Sequence, residues 1–123
     1  KDDLVFTSWI FDVDRPLAGC DLVAMTSLNE GTPVSLIEAQ AANKPIVSTE
    51  VGGIGNVVLP GETALLSASG DVTGFAANML KLVADKQLRE KMSQKGWMFV
   101  KGRFHYERLV DDMRQLYRSL LKP

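Results

Sequence analysis

Glu30 and Glu38 stand apart from the other acidic residues of this chain because of what lies between and around them. They belong to the segment Ser27-Leu28-Asn29-Glu30-Gly31-Thr32-Pro33-Val34-Ser35-Leu36-Ile37-Glu38-Ala39, which follows directly on an apolar, strand-like run. Thr32 is a good N-cap and Pro33 suits a first helical position, so the pattern predicts a helix beginning there. The free N–H groups of Val34 and Ser35 then point out of the helix N-terminus, beyond the carboxyl end of a sheet strand. Open α/β sheets bind ligands at that place, and backbone amides hold phosphate there. Glu38 lies four residues after Val34 and three after Ser35, on the same helix face and about one turn in. Side chains lean towards the helix N-terminus, so Glu38 can reach back beside a bound phosphate and accept both hydroxyls of a ribose diol. Glu30, in the loop before the helix, would meet hydroxyls on whatever the phosphates carry. The arrangement describes a nucleotide-sugar site. Either glutamate alone would be read as a solvated carboxylate or a partner of the helix dipole. The Gly-Thr-Pro turn and the residues that follow decide for function.

The elements that must hold this segment are legible on either side of it. Residues 4–7, 22–25, 45–48 and 64–66 are short, β-prone and nearly continuous in apolar character, which suits strands covered on both faces of a parallel sheet. Residues 33–43, rich in Leu, Ile, Ala, Glu and Gln, read as a helix between the second and third runs. Strand, helix and strand in close order imply right-handed crossovers, so the expected class is α/β: a Rossmann-like parallel sheet of about four strands. The second half is helical. Asp71 is a plausible N-cap for a stripe of Val72, Phe75, Ala76, Met79, Leu80 and Val83, with Gly74 inside it costing about 1 kcal/mol relative to Ala. A second helix is expected over residues 88–99, stopping near Gly102. The last stretch sets Leu109, Met113, Leu116 and Leu120 on one face, with Arg108, Asp111, Asp112, Arg114 and Arg118 largely opposite. It reads as a terminal helix packed on the core.

Composition narrows the classes. The chain has 123 residues, 46% of them apolar and 24% charged, which fits one soluble globular domain over residues 1–123. No apolar run approaches the roughly 18–20 residues of a membrane span, and no signal peptide opens the chain. The start at Lys1 without a methionine suggests an excised or processed piece. The lone cysteine, Cys20, reads as a small buried side chain, and the lone histidine, His105, as a surface residue. Together they build neither a zinc site nor a disulfide. Residues 1–70 carry 3 Lys and Arg against 9 Asp and Glu, a net of −6, whereas residues 71–123 carry 11 against 6, a net of +5. A basic C-terminal third suits an anionic membrane surface or, more plainly, the solvated faces of helices. No basic stripe interleaved with aromatics and no nucleic-acid motif is present, so nucleic acid is not an expected partner.

The run Asn29-Glu30-Gly31-Thr32-Pro33, then Glu38-Ala39, Ala41-Ala42-x-x-Pro45-Ile46-Val47 and Gly52-Gly53, closely resembles the C-terminal domain of family 4, or group 1, glycosyltransferases. These are retaining enzymes of the GT-B architecture, whose signature is two glutamates separated by seven residues, the spacing of Glu30 and Glu38. The resemblance extends outwards to Phe6-Thr7-Ser8-Trp9 with Asp12, to Asp21-Leu22-Val23, to Gly61-Glu62-Thr63 and Gly70-Asp71, and to Arg103-Phe104. It covers nearly the whole chain but only the latter part of the family's domain. The sequence departs from the family pattern at Ser8, a usual glycine, and around Asn43-Lys44. It departs again at Asn56, a usual glutamate, and at Ala64 after Thr63. These positions surround the signature and bear on donor identity more than on class.

By that resemblance Glu38 would bind the ribose hydroxyls and Glu30 the hydroxyls of the donor sugar, as the catalytic residue of the set. The turn Gly31-Thr32-Pro33 and the amides of Val34 and Ser35 would meet the diphosphate. Gly52 and Gly53 would let backbone approach the sugar, and Ser8 and Trp9 would border the base. The chemistry implied is transfer of a sugar from a nucleotide-diphosphate donor to an acceptor hydroxyl, with retention, in polysaccharide or glycoconjugate synthesis. No metal or other cofactor is required. The family's Arg and Lys for the leaving phosphate come from a segment outside this chain, and Arg15 and Lys44 have no motif behind them. The expected whole is therefore a donor-binding piece, inactive alone, that needs an N-terminal acceptor-binding domain. Its expected setting is cytoplasmic, at the inner face of the membrane where the acceptor is lipid-linked, with peripheral membrane contact in that case. A sheet edge left unpaired would favour a homo-oligomer.

Two other classes compete. A nucleotide-sugar epimerase of the same architecture would bind the same donor, but the paired glutamates in their Gly-Thr-Pro context favour a transferase. A non-catalytic sugar-nucleotide sensor or flavodoxin-like signalling module would use the same sheet. Signalling receivers need clustered acids at strand ends, which Asp12 and Asp14 match poorly.

Overall fold

The computed structural model describes residues 3–121. Its element order is α1 (Asp14–Gly19), β1 (Val23–Met25), α2 (Val34–Ala41), β2 (Ile46–Glu50), α3 (Ile54–Val57), β3 (Ala64–Ala68), α4 (Val72–Ala84), α5 (Lys86–Phe104) and α6 (Tyr106–Leu120). The strands form one parallel sheet in the order β1-β2-β3. Val23 pairs with Ile46 across the first ladder, and Ile46 pairs with Ala64 across the second.

The alternation of side chains along β2 divides the core in two. Ile46 faces one side, where it packs with Leu36 and Ala39 of α2, Ile54 and Val57 of α3, Val58 and Ala64. Val47 faces the other side and meets Leu82 of α4 and Met92 of α5. Both faces are thus covered, which is why the strands read as continuous apolar runs. The two layers meet through α5, whose Gly96 lies against Gln40 of α2: a Cβ at Gly96 would stand 3.1 Å from Gln40 Cγ. Gln40 is fully buried and its Nε2 donates to the carbonyls of Leu36 at 3.0 Å and Val57 at 2.8 Å, tying α2 to α3.

The expected α/β class with a parallel sheet holds, with three strands among the described residues rather than about four. Residues 4–7 are not a strand. Leu4, Val5 and Phe6 are 67%, 79% and 89% exposed, with no ladder partner and no layer to cover them among the described residues, and an isolated strand is not stable in water. In the second half Asp71 caps α4 as expected, accepting from the Gly74 N–H at 2.9 Å. The helix expected over 88–99 starts earlier and ends later. Asp85 caps it by accepting from the Leu88 N–H at 2.9 Å, and Phe104 anchors its last turn edge-to-face on Phe99 at 6.0 Å. Cys20 is half-buried rather than buried, its thiol donating to the Leu17 carbonyl at 3.4 Å, and His105 is exposed as expected.

The terminal helix is the larger correction. α6 carries the expected apolar stripe, yet none of its residues is buried, and Leu116 and Leu120 remain 50% and 70% exposed. Both sheet faces are already occupied by α2 and α3 and by α4 and α5. The extended backbone of His105 (φ −66°, ψ 136°) then turns α6 away from them. Among the described residues no helix is long and apolar enough to cross a membrane.

Candidate functional site

The loop from β1 to α2 and the loop after β2 emerge side by side at the carboxyl ends of neighbouring parallel strands, and they touch. The Gly53 N–H donates to the Glu30 carbonyl at 3.0 Å. A Cβ at Gly52 would lie 1.8 Å from the Glu30 carbonyl oxygen, and one at Gly53 would lie 1.7 Å from that of Gly31. Gly52 also has φ +52°, a left-handed conformation that side chains disfavour. The Gly-Gly pair therefore serves a chain-to-chain contact: it lets the β2 loop lie directly against the backbone that carries Glu30 and Gly31.

The Glu30 side chain is held as closely as its backbone. The Ser27 hydroxyl donates to Glu30 Oε1 at 2.6 Å. Thr49, 8% exposed on β2, donates its own hydroxyl to the Ser27 carbonyl at 2.6 Å. Glu30 ends half-buried, its loop tied to the central strand.

At the start of α2 the structure shifts the expected boundary by one residue. Pro33, buried and extended at ψ 98°, takes the N-cap position, so the helix begins at Val34. Thr32 is exposed and supplies no side-chain cap. The buried proline ring anchors the chain just before the first turn, which closes by Leu36 N–H donating to the Pro33 carbonyl at 3.1 Å. Val34 and Ser35 are exposed and stand at the first positions of α2, where helical amides have no partner within the helix.

Glu38, one turn on and half-buried, opens onto a groove of about 450 Å³ shared with Phe11, Asp12, Asp14, Leu17 and Ala42. Ser8 and Trp9 do not line it. Trp9 is 82% exposed and stands edge-to-face on Phe11 of the groove at 6.4 Å. Ser8 has φ +56°, so the position where the resembling family carries glycine keeps a left-handed backbone here. Lys44 lies beyond the opposite end of α2, its ammonium donating to the Ala18 carbonyl at 3.2 Å, far along the helix from the Val34 and Ser35 amides. Among the described residues no three of His, Cys, Asp and Glu are grouped to hold a metal ion.

Two residues escaped the sequence reading. Ser27 lies inside the informative segment but carries no motif of its own. Thr49 is legible only as an alternate position on β2, two residues after Val47, and what its hydroxyl meets depends on the loop of a different strand.

The sequence matches the family model for group 1 glycosyl transferases over residues 1–85. N-acetyl-alpha-D-glucosaminyl L-malate synthase of Bacillus anthracis is 31% identical over 122 residues, which is 99% of this chain and 32% of that protein. The lipopolysaccharide core biosynthesis glycosyltransferase LpsE of Rhizobium meliloti is 32% identical over 114 residues, 93% of this chain and 34% of its own length. Among solved structures, sucrose-phosphate synthase from Thermosynechococcus elongatus superposes with a TM-score of 0.79 at 28% identity, covering 85% of this chain and 26% of that one. Anabaena HepE in complex with UDP superposes at 0.84 with 24% identity, covering 89% of this chain and 30% of HepE, a likeness of fold. The chain thus spans about a third of the length of these curated relatives.

Proposed function

The chain belongs to the group 1 glycosyl transferases, of GT-B architecture, and from that premise we propose that it is the nucleotide-sugar-binding part of an enzyme. That enzyme moves a sugar from a nucleotide-diphosphate donor to an acceptor hydroxyl with retention. The observation that carries the reading is the pair of anchored glutamates: Glu30 tied by Gly53 and Ser27 at the sheet's carboxyl end, and Glu38 one helical turn beyond the free amides of Val34 and Ser35.

In this reading the ribose diol sits on Glu38, the diphosphate on the Val34 and Ser35 amides, and the sugar hydroxyls on Glu30. As the bond from the anomeric carbon to the diphosphate oxygen breaks and the acceptor hydroxyl attacks, negative charge grows on the leaving group. Amides already aimed at that position stabilise it without reorganising. Further cations for the leaving group and the acceptor site belong to the rest of the enzyme. Lys44 is engaged at the opposite end of α2, and in this reading the isolated chain binds donor without transferring sugar.

The test is calorimetric titration with UDP, GDP and ADP beside Glu38→Ala. One nucleotide should bind, and the variant should lose about 1–3 kcal/mol, the worth of hydrogen bonds to a charged group. Silence from all three nucleotides, in the chain and in a longer polypeptide containing it, would overturn the assignment.

A further inference from the structure

We infer that Ser27 and Thr49 are positioning residues for Glu30, a relay that fixes one carboxylate oxygen so that the other is presented to the donor sugar. The inference rests on the donor-site reading above and deepens it.

Glu30 has three side-chain torsions, and a glutamate in a surface loop ordinarily samples many rotamers. Here Oε1 is taken by the Ser27 hydroxyl at 2.6 Å, within the range of hydroxyl-to-carboxylate bonds and stronger than one between neutral groups. Ser27 is itself held: its carbonyl accepts from Thr49 Oγ1 at 2.6 Å. Thr49 cannot drift, because it is nearly buried on the central strand and pairs with Ser67 across the β2–β3 ladder. A rigid strand thus reaches the carboxylate through two hydroxyls, while Gly53 fixes the main chain of the same residue at 3.0 Å. Among the described residues Oε2 has no hydrogen-bond partner. A ligand hydroxyl that meets it finds the rotamer already selected, so the ordering cost falls on folding instead of on binding.

The relay predicts selective damage. UDP should touch the Glu38 end of the site and ignore Glu30, whereas UDP-glucose should feel both. In titrations of the full polypeptide with these two probes, Ser27→Ala should weaken UDP-glucose about tenfold, one lost hydrogen bond's worth of orientation, and leave UDP within about twofold. Ser27→Thr, which keeps a hydroxyl, should restore the difference. Thr49→Val, close in shape and lacking only the donor, tests the same link should Ser27→Ala lose its fold, with Thr49→Ser as its rescue. Equal losses for both probes in a folded variant, or no loss, would overturn the relay while leaving the donor site standing. If UDP is silent, the same pair of probes is GDP and GDP-glucose or ADP and ADP-glucose; a wild-type protein that binds none of the three nucleotides or their glucose esters would remove the donor reading and the relay together.

Discussion

The N–H of Gly53 donates to the carbonyl of Glu30 at 3.0 Å, joining the loop after β2 to the loop after β1. The contact is so close that neither glycine of the pair can carry a side chain: the first obstacle to a Gly53 Cβ is a backbone oxygen at 1.7 Å. Gly53→Ala should therefore destabilise by at least about 2–3 kcal/mol, the upper range for overpacking, because backbone must move. It should also loosen Glu30. Gly55→Ala is the control: its Cβ meets nothing within 4 Å and lies in α3, so it should be neutral or slightly stabilising. Urea unfolding of both variants checks this, and equal effects would refute the contact.

The sheet was readable from sequence because parallel strands covered on both faces must be apolar throughout, as at Ile46 and Val47. The helix after Pro33 was readable because proline and the free amides follow local rules. What escaped was anything decided by the partner of a side chain. Residues 4–7 are as apolar as a strand but pair with no strand among the described residues. The stripe from Leu109 to Leu120 has helical spacing, yet spacing does not say what covers it. Gly52 and Gly53 read as room for a ligand, and the structure shows that they also make room for another loop, a contact that requires two segments about twenty residues apart to be placed together.

Because α6 buries no side chain, its apolar stripe should contribute little to the stability of this chain. Leu109→Ser and Leu116→Ser should each change the unfolding free energy by no more than about 0.5 kcal/mol, as surface substitutions do. Leu36→Ala, at 0% exposure in the core, should cost about 2–5 kcal/mol. Denaturant titration distinguishes the cases. A cost above about 1 kcal/mol at either α6 position would mean that the helix is packed.

Acid should weaken one specific link. Lys95, in α5, donates to Glu62 Oε2 at 2.7 Å, joining that helix to the turn before β3. That hydrogen bond, and then the Lys95 charge, hold the Glu62 carboxyl below its ordinary value of 4.5. A lowered carboxyl stabilises the fold above its unfolded-state value, and that contribution is lost as the pH falls through the lowered one. Wild type should thus exceed Glu62→Gln slightly in thermal midpoint at neutral pH, by less at high salt, and not at all in acid below the lowered value. Glu62 is exposed and Lys95 half-buried, so solvent screens the pair and the effect is small. A difference that grew on acidification would contradict the pairing.

The cap of α4 offers a sharper test, because two substitutions there should not add. Asp71 accepts from the Gly74 N–H at 2.9 Å, and removing such a cap typically costs about 1 kcal/mol. Gly74 lies within the helix, where Ala in place of Gly ordinarily gains about 1 kcal/mol. Here a Cβ at Gly74 would stand 2.1 Å from Asp71 Oδ2, so the new methyl collides with the capping carboxylate. Gly74→Ala alone should therefore gain nothing or lose stability as the cap is pushed aside. In the Asp71→Ala background the obstacle is gone and the same substitution should stabilise by about 0.5–1 kcal/mol. A double-mutant cycle by thermal unfolding reads the coupling directly. Equal effects of Gly74→Ala in the two backgrounds would show that the carboxylate swings clear at no cost, and that the glycine is there for some reason other than its cap.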